Sequence, residues 1–409
     1  MQRFKYVFLL CSTLIALSIL ATLSTTAEAA PYKTTPPKTT PLPAIPSVTS
    51  TLFGIAALSP ESIWTVGTSM NIPAFTGQPL IEHWNGSVWQ IVPGPTAPQD
   101  EFNSLVGVTA LTNNNVWAVG FSMNTTKATG QPLIEHWDGS VWQIVPNPIA
   151  LKSGSLSAIT ASGPDDIWAV GSTYSIAGTS SEPLILHWNG GIWQVVSGAD
   201  TVGSSSLLSV SAVNSRDIWA VGSSSDQKKS KILIEHWNGN SWQIIPGLAS
   251  GMNFDELSGI ATLSDHDIWV VGNSFSQPLQ VHPLIEHWDG KNWSTLTASG
   301  LPKSFAPNAI SSLNDNDVWI SGAETLAHWN GKNWQSRTST SQKEFNLLNA
   351  ITMLAHANVW AAGFRVETKS AVTLIEHWNG STWQVIDSPS PSSKKASAIR
   401  STKALLKRK

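Results

Sequence analysis

Histidine is the side chain best suited to chemistry near neutral pH, as ligand, base or acid, and this chain has ten. Seven stand in one motif: His-Trp-Asn/Asp-Gly begins at His83, His136, His187, His236, His287, His328 and His377. Glu82, Glu135, Glu235, Glu286 and Glu376 precede five of them, with Leu186 and Ala327 in the other two. Imidazole beside carboxylate can bind a metal or relay a proton. The repetition argues against both. Equivalent positions lie a whole repeat apart, so they cannot converge on one ion or one substrate. The pattern predicts one hydrogen bond per repeat that fixes a turn. The glutamate, replaceable by Leu and Ala, is expected at an edge or in solvent.

Other candidate chemistry is thin. Asp265-His266-Asp267 and Asn314-Asp315-Asn316-Asp317 hold possible cation ligands, but neither has the Gly and final Glu of an EF-hand loop. They read as turns, as does the Asp, Asn or Ser at 62, 115, 166, 217, 267, 317 and 358. A single cysteine, Cys11, excludes a disulfide framework and a thiolate zinc site. There is no Gly-rich phosphate loop, no Gly-x-Ser-x-Gly elbow and no His-Glu-x-x-His helix. No metal, cofactor or catalytic constellation is expected.

The elements that carry these residues are set by tryptophan. The 409 residues include 21 Trp against 3 Tyr and 11 Phe. An Ile/Val-Trp pair supplies Trp64, Trp117, Trp168, Trp219, Trp269, Trp319 and Trp360 at intervals of 53, 51, 51, 50, 50 and 41. The His-Trp motif supplies Trp84, Trp137, Trp188, Trp237, Trp288, Trp329 and Trp378. A third Trp closes each unit: Trp89, Trp142, Trp193, Trp242, Trp293, Trp334 and Trp383. Seven repeats therefore account for every Trp. In the first, strands are predicted over 52–58, 63–68, 79–84 and 88–92, with Asn85-Gly86 as a hairpin signal. Four short antiparallel strands in each 40–50-residue unit, repeated seven times, predict an all-β, seven-bladed β-propeller over 51–387. Stacking around an axis buries both faces of sheets that could not do so alone.

The Trp-Ala-Val-Gly at 117–120, 168–171 and 219–222, with the Asp/Asn-Gly-x-x-Trp that follows, resembles bacterial β-propellers of the broad kelch/galactose-oxidase and sialidase-like kind, photosystem II assembly-factor-like repeats among them. The likeness spans about 51–387 and is one of fold. The spacing from Asp to Trp is one residue shorter than in the sialidase Asp-box, and the kelch Gly-Gly doublet occurs only at Gly190-Gly191. Sialidase chemistry would imply an arginine cluster and a tyrosine nucleophile. Here Arg216, Arg337 and Arg365 are the only propeller arginines, Arg216 in a first-to-second-strand turn and Arg365 in a second-to-third-strand loop, at opposite ends of a meander. Galactose-oxidase chemistry would imply copper held by Cys and Tyr, and the repeats contain no Cys.

The ends read differently. Residues 1–30 have the pattern of a secretory signal: Arg3 and Lys5, an apolar run over 6–23, then Ala27-Glu28-Ala29 as a cleavage site. Residues 31–50 form a Pro/Thr-rich linker, and 388–409 a basic tail expected to be disordered. The formal charge of −3 hides an asymmetry, because 51–390 holds 13 basic and 26 acidic residues, net −13. That excludes nucleic acid as a partner of the general surface. A membrane would be engaged only through a retained signal segment.

Short turns join the first to the second strand and the third to the fourth. The second-to-third-strand loops and the inter-blade connections vary in length and fall together on one face, where binding residues are expected. Phe75, Phe121, Tyr174, Phe275, His282, Phe364 and Arg365 are the candidates. The expectation is a secreted or cell-surface monomer that binds or scaffolds an unidentified protein without being an enzyme. A polysaccharide-binding, lectin-like propeller is the alternative, and a glycan-cleaving enzyme ranks third.

Overall fold

The computed structural model describes residues 48–389, apart from 73, 97–100, 126–128, 149–152, 175–179, 227–228, 249, 253, 277–279, 340–344 and 368–369. The signal-like segment, nearly all of the linker and the tail from 390 lie outside the described residues.

In the first repeat β1 (Val48–Ser59), β2 (Ser62–Asn71), β3 (Thr76–Trp84) and β4 (Trp89–Ile91) form an antiparallel meander. The turn chemistry is local. Gly86 takes a φ of 89°, and Asn85 Oδ1 accepts the N–H groups of Ser87 and Val88 at 3.1 and 3.0 Å. The same four-stranded order recurs over 101–144, 154–196, 204–244, 254–295, 307–338 and 346–385. These are the blades of a β-propeller. The first three strands outrun the predicted spans at the end where β2 turns into β3, because Thr, Ser and Asn continue the ladder beyond the apolar core. β1 accordingly begins at Val48, inside the expected linker.

Blades are joined by a relay of indoles. Trp64 packs on Trp137 and Trp142 of the next blade, with ring centroids 5.4 and 5.6 Å apart, and each following blade repeats this contact. The relay returns to its start: Trp360 of blade seven meets Trp84 and Trp89 of blade one at 5.2 and 5.9 Å. Each junction also encloses its own aliphatic cluster, with Leu52, Ile63 and Leu80 against Ala362 and Ile375 at the closing one. Aromatic pairs of this kind add about 0.5–1.5 kcal/mol each beyond area burial. Among the described residues every blade supplies its own four strands, and none is shared at the closure. Packing is aided there by Thr49 Oγ1, which donates to Ala371 O (3.0 Å) and accepts its N–H (2.7 Å).

The first strands of successive blades crowd together around the axis. A bulge in β1 between Leu52 and Gly54 presses its backbone onto β2, so a Cβ on Gly67 would lie 1.9 Å from Thr51 O. Gly120, Gly171, Gly222, Gly272, Gly322 and Gly363 are in the same position, at 1.9–2.3 Å. The Trp-x-x-Gly of each repeat is thus a packing requirement of the inner pair of strands.

Candidate functional site

The repeated polar residues come together first. In β3 and its equivalents the His Nε2 lies beside the residue that precedes Ile/Val-Trp: 2.9 Å from Asn115 Oδ1 for His136, 2.6 Å from Asp166 Oδ1 for His187. The same oxygen accepts the Trp Nε1–H, at 2.8 Å from Trp117 and 2.9 Å from Trp168. Burial holds His83, His136, His328 and His377 below the ordinary histidine range. Imidazoles clamped between strands, one per blade, lock the sheets.

The glutamates correct the sequence reading. Glu82, Glu135, Glu235, Glu286 and Glu376 are not at an edge or in solvent; none is more than 1% exposed. Each faces the segment that arrives from the preceding blade. Glu235 Oε2 accepts the Ala199 N–H at 3.0 Å, Glu286 Oε2 that of Leu248 at 3.4 Å, and Glu376 Oε1 the Ser339 hydroxyl at 2.6 Å. At the closing junction the Ser388 hydroxyl lies 2.9 and 2.7 Å from the two oxygens of Glu82. Ser388, expected as the start of a disordered tail, therefore does on blade one what Ala199, Leu248 and Ser339 do on blades four, five and seven. Burial pushes the Glu82 carboxyl up to about 7 despite that hydroxyl. It pushes Glu135 to about 8 and, against the Leu248 N–H, Glu286 to about 7. In blades one, four, five and seven these buried carboxyls tie the blade to the segment that reaches it.

The seven candidate binding residues divide. Phe121 and Tyr174 lie within second strands, as do Phe275, Phe364 and Arg365, and His282 within a third. Only Phe75 is in a connection, because the ladders extend into what the sequence suggested were loops. Phe364 is 2% exposed, beside Phe345 at 6.3 Å, and cannot meet a ligand. Tyr174 Oη is held by Ser155 and Ser172 at 2.9 and 3.0 Å. Arg365 pairs with Glu367 at 2.7 Å, and Arg216 stands in the turn at the far end of blade four, so no arginine cluster forms between them. His282 lines an open cleft of about 340 Å³ with Leu248, Met252, Pro283 and Glu286, its Nε2 3.3 Å from Ser276 Oγ. Phe75 and Phe121 are brought into one row through Phe102, with centroids 5.9 and 6.0 Å apart.

Phe75 is unusual. It is 41% exposed and takes a φ of 51°, a left-handed conformation that bulky residues rarely adopt. The turn imposes it: Phe75 N–H donates to Ile72 O (3.3 Å) while Asn71 Oδ1 accepts the Ala74 N–H (3.3 Å). Strained, exposed aromatics of this kind concentrate at working surfaces. Exposed apolar residues occupy other connections and strand starts on this face, with Ile72 at 38%, Val202 at 82%, Met252 at 39% and Phe254 at 41%. Sequence reasoning passed over Phe102, which sits in a first strand, and over Val202 and Met252, which carry no aromatic signal.

Among solved structures, the chain is similar to one described as YCF48 bound to D1 peptide, with a TM-score of 0.52, 18% identity, and 82% of this chain and 95% of that one covered. A β-propeller domain of the Trilobed protease from Pyrococcus furiosus, described as having an open velcro topology, aligns at a TM-score of 0.45 and 10% identity over 83% and 96% of the two chains. An acylaminoacyl peptidase from Pyrococcus horikoshii aligns at 0.47 and 12%, over 86% of this chain and 54% of the peptidase. No family model matches the chain, and no curated protein matches it. At these identities the likeness is one of fold.

Proposed function

We propose that this chain is an exported, non-enzymatic propeller that holds an extended segment of a protein partner on the face bearing the second-to-third-strand connections. The observation that carries the reading is the Phe75–Phe102–Phe121 row, capped by an exposed aromatic in a strained turn. An apolar anchor point on a rigid scaffold, amid an acidic general surface, suits a peptide with apolar side chains and positive charge. The similar fold of YCF48, bound to a peptide, supports this use of the architecture. The signal-like N-terminus supports work at the cell surface or outside the cell. Arg216 and Arg365, placed at opposite ends of their blades, do not form the arginine cluster that sialidase-type glycan cleavage would need.

The test is selection of random twelve-residue peptides displayed on phage against the purified chain and its Phe75→Ala variant, with a glycan array run in parallel. Enriched apolar, basic peptides that lose about tenfold or more in affinity with Phe75→Ala are expected. No enrichment, or equal binding by the variant, would overturn the reading. Saturable glycan binding in its place would make the propeller a lectin.

A further inference from the structure

Two blades depart from the shared hydrogen-bond design, blade one because its side chain is too short and blade six although its side chain is long enough. In blades two, three, four, five and seven, Oδ1 of Asn115, Asp166, Asp217, Asp267 or Asn358 accepts the Nε1–H of the Trp two residues on, at 2.7–2.9 Å. The same atom lies 2.6–2.9 Å from the His of that blade. Blade one has the shorter Ser62, which reaches only His83, at 3.2 Å. Blade six has Asp317, long enough to serve both partners as Asp166, Asp217 and Asp267 do. Yet Trp319 Nε1 is buried with no partner among the described residues. Asp317 is turned elsewhere: Oδ1 lies 2.8 Å from His328 Nε2, and Oδ2 lies 2.8 Å from Nδ1 of His356. His356 belongs to the first turn of blade seven, where the other blades carry Pro60, Asn113, Pro164, Ser215, Asp265 and Asp315.

We propose that Asp317, His328 and His356 form a binding site for a divalent cation of the zinc class, tying blade six to blade seven. The three ligand atoms lie within 4.8 Å of one another. Bonds of ~2.0–2.1 Å in a tetrahedral zinc site set ligand atoms roughly 3.3 Å apart, so the two 2.8 Å Asp–His contacts would open slightly while the two imidazole nitrogens, now within 4.8 Å of each other, close on the ion. Two imidazole nitrogens and one carboxylate oxygen suit zinc, cobalt or nickel and disfavour calcium and magnesium, which require mostly oxygen. Asp317 and His328 are fixed in the blade, with side chains 8% and 12% exposed, whereas His356 is 68% exposed and leaves the outer side open to the cation and to water. A structural hydrogen bond alone does not account for the arrangement, because the aspartates of blades three to five satisfy their histidine and their tryptophan together.

The test uses the untagged full chain, with Zn²⁺ and Mg²⁺ as probes in thermal melts and Co²⁺ as an absorbance probe. One equivalent of Co²⁺ should give tetrahedral d–d bands. Zn²⁺ at a hundredfold excess over Kd should raise Tm by about 4 °C for a fold of this size, and Mg²⁺ should not. His356→Ala, in an exposed turn, should melt like the wild type without metal, lose the cobalt bands and lose the zinc shift. His356→Asn should do the same if His356→Ala proves unstable. His266→Ala, which removes the exposed histidine beside Asp265, should change nothing. No cobalt or zinc binding by the wild type would overturn the proposal. So would binding that survives His356→Ala or disappears with His266→Ala.

Discussion

Replacing Glu135 by Gln should stabilise the protein more and more as the medium turns alkaline. The side chain is 1% exposed, and neither oxygen has a partner among the described residues. Burial raises its pKa from 4.5 to about 8. A folded pKa above the unfolded one means that the carboxyl is tolerated best when neutral. Its contribution is complete below pH 4.5, is lost as pH climbs to about 8, and is constant beyond. Each pH unit inside that window removes up to ~1.4 kcal/mol, so roughly 4 kcal/mol disappears between pH 5 and pH 9. Glutamine keeps the shape and cannot ionise. With an unfolding entropy of about 0.7 kcal/mol/K for a fold of this size, the Tm gap between variant and wild type should widen by roughly 5 °C across that range. The assay is paired, reversible melts at pH 5, 7 and 9. The other buried glutamates titrate in both proteins and cancel in the difference. Melting curves that shift in parallel with pH would refute the reasoning, because they would show Glu135 ionising as freely folded as unfolded.

Other substitutions probe the same architecture. Gly120→Ala would place a Cβ 2.0 Å from Ser104 O and should cost ~3 kcal/mol or more in urea denaturation, whereas Gly163→Ala, which meets nothing within 4 Å, should fall within ~0.5 kcal/mol of the wild type. A small loss at Gly120 would mean the bulged inner strands can part. Ser388→Ala removes both hydroxyl contacts to Glu82 and should cost about 1–2 kcal/mol at neutral pH. The loss should largely vanish in a Glu82→Leu background, which has no acceptor for the Ser388 hydroxyl and copies the Leu186 of blade three, and a double-mutant cycle showing simple additivity would sever that link.

Much of this fold was legible because its repeats are so regular. Three Trp per unit, the Asn/Asp-Gly hairpin and the Trp-x-x-Gly each have one physical reason, and the same reason operates in every blade. The misreadings came where a pattern supports two opposite inferences. Leu186 and Ala327 in place of glutamate suggested a position indifferent to environment. Yet both replacements are apolar, and apolar replacement marks a buried site, which is where the carboxyls lie. The binding candidates were read as loop residues because hydrophobic alternation stops well before the hydrogen-bond ladder does. Phe121 and Arg365 fall in that difference. The Phe75–Phe102 contact was not legible, since it joins a connection of blade one to the inner strand of blade two and no spacing rule relates them.

Regularity also says where to look for function. A residue repeated around a ring must serve something that recurs with it, either the contact between neighbouring blades or the packing inside one. The indole relay, the His–Asp/Asn–Trp bonds and the strand-two glycines all meet that condition. A single partner or a single ion can be recognised only where the ring breaks its symmetry. Phe75 does so by holding a left-handed turn with an exposed aromatic ring. Blade six does so more fully: it has the shortest second and third strands, Ala327 in place of the glutamate, and an aspartate drawn from its tryptophan toward a histidine of the next blade. The aspartate's turn leaves an indole N–H unpaired in the core, a cost on the order of 1–3 kcal/mol that blades three to five avoid with the same side chain. Buried indole N–H groups without a partner recur among the described residues, in Trp64 and in the third Trp of every blade, so what singles out the junction of blades six and seven is the His356 that draws Asp317 across it.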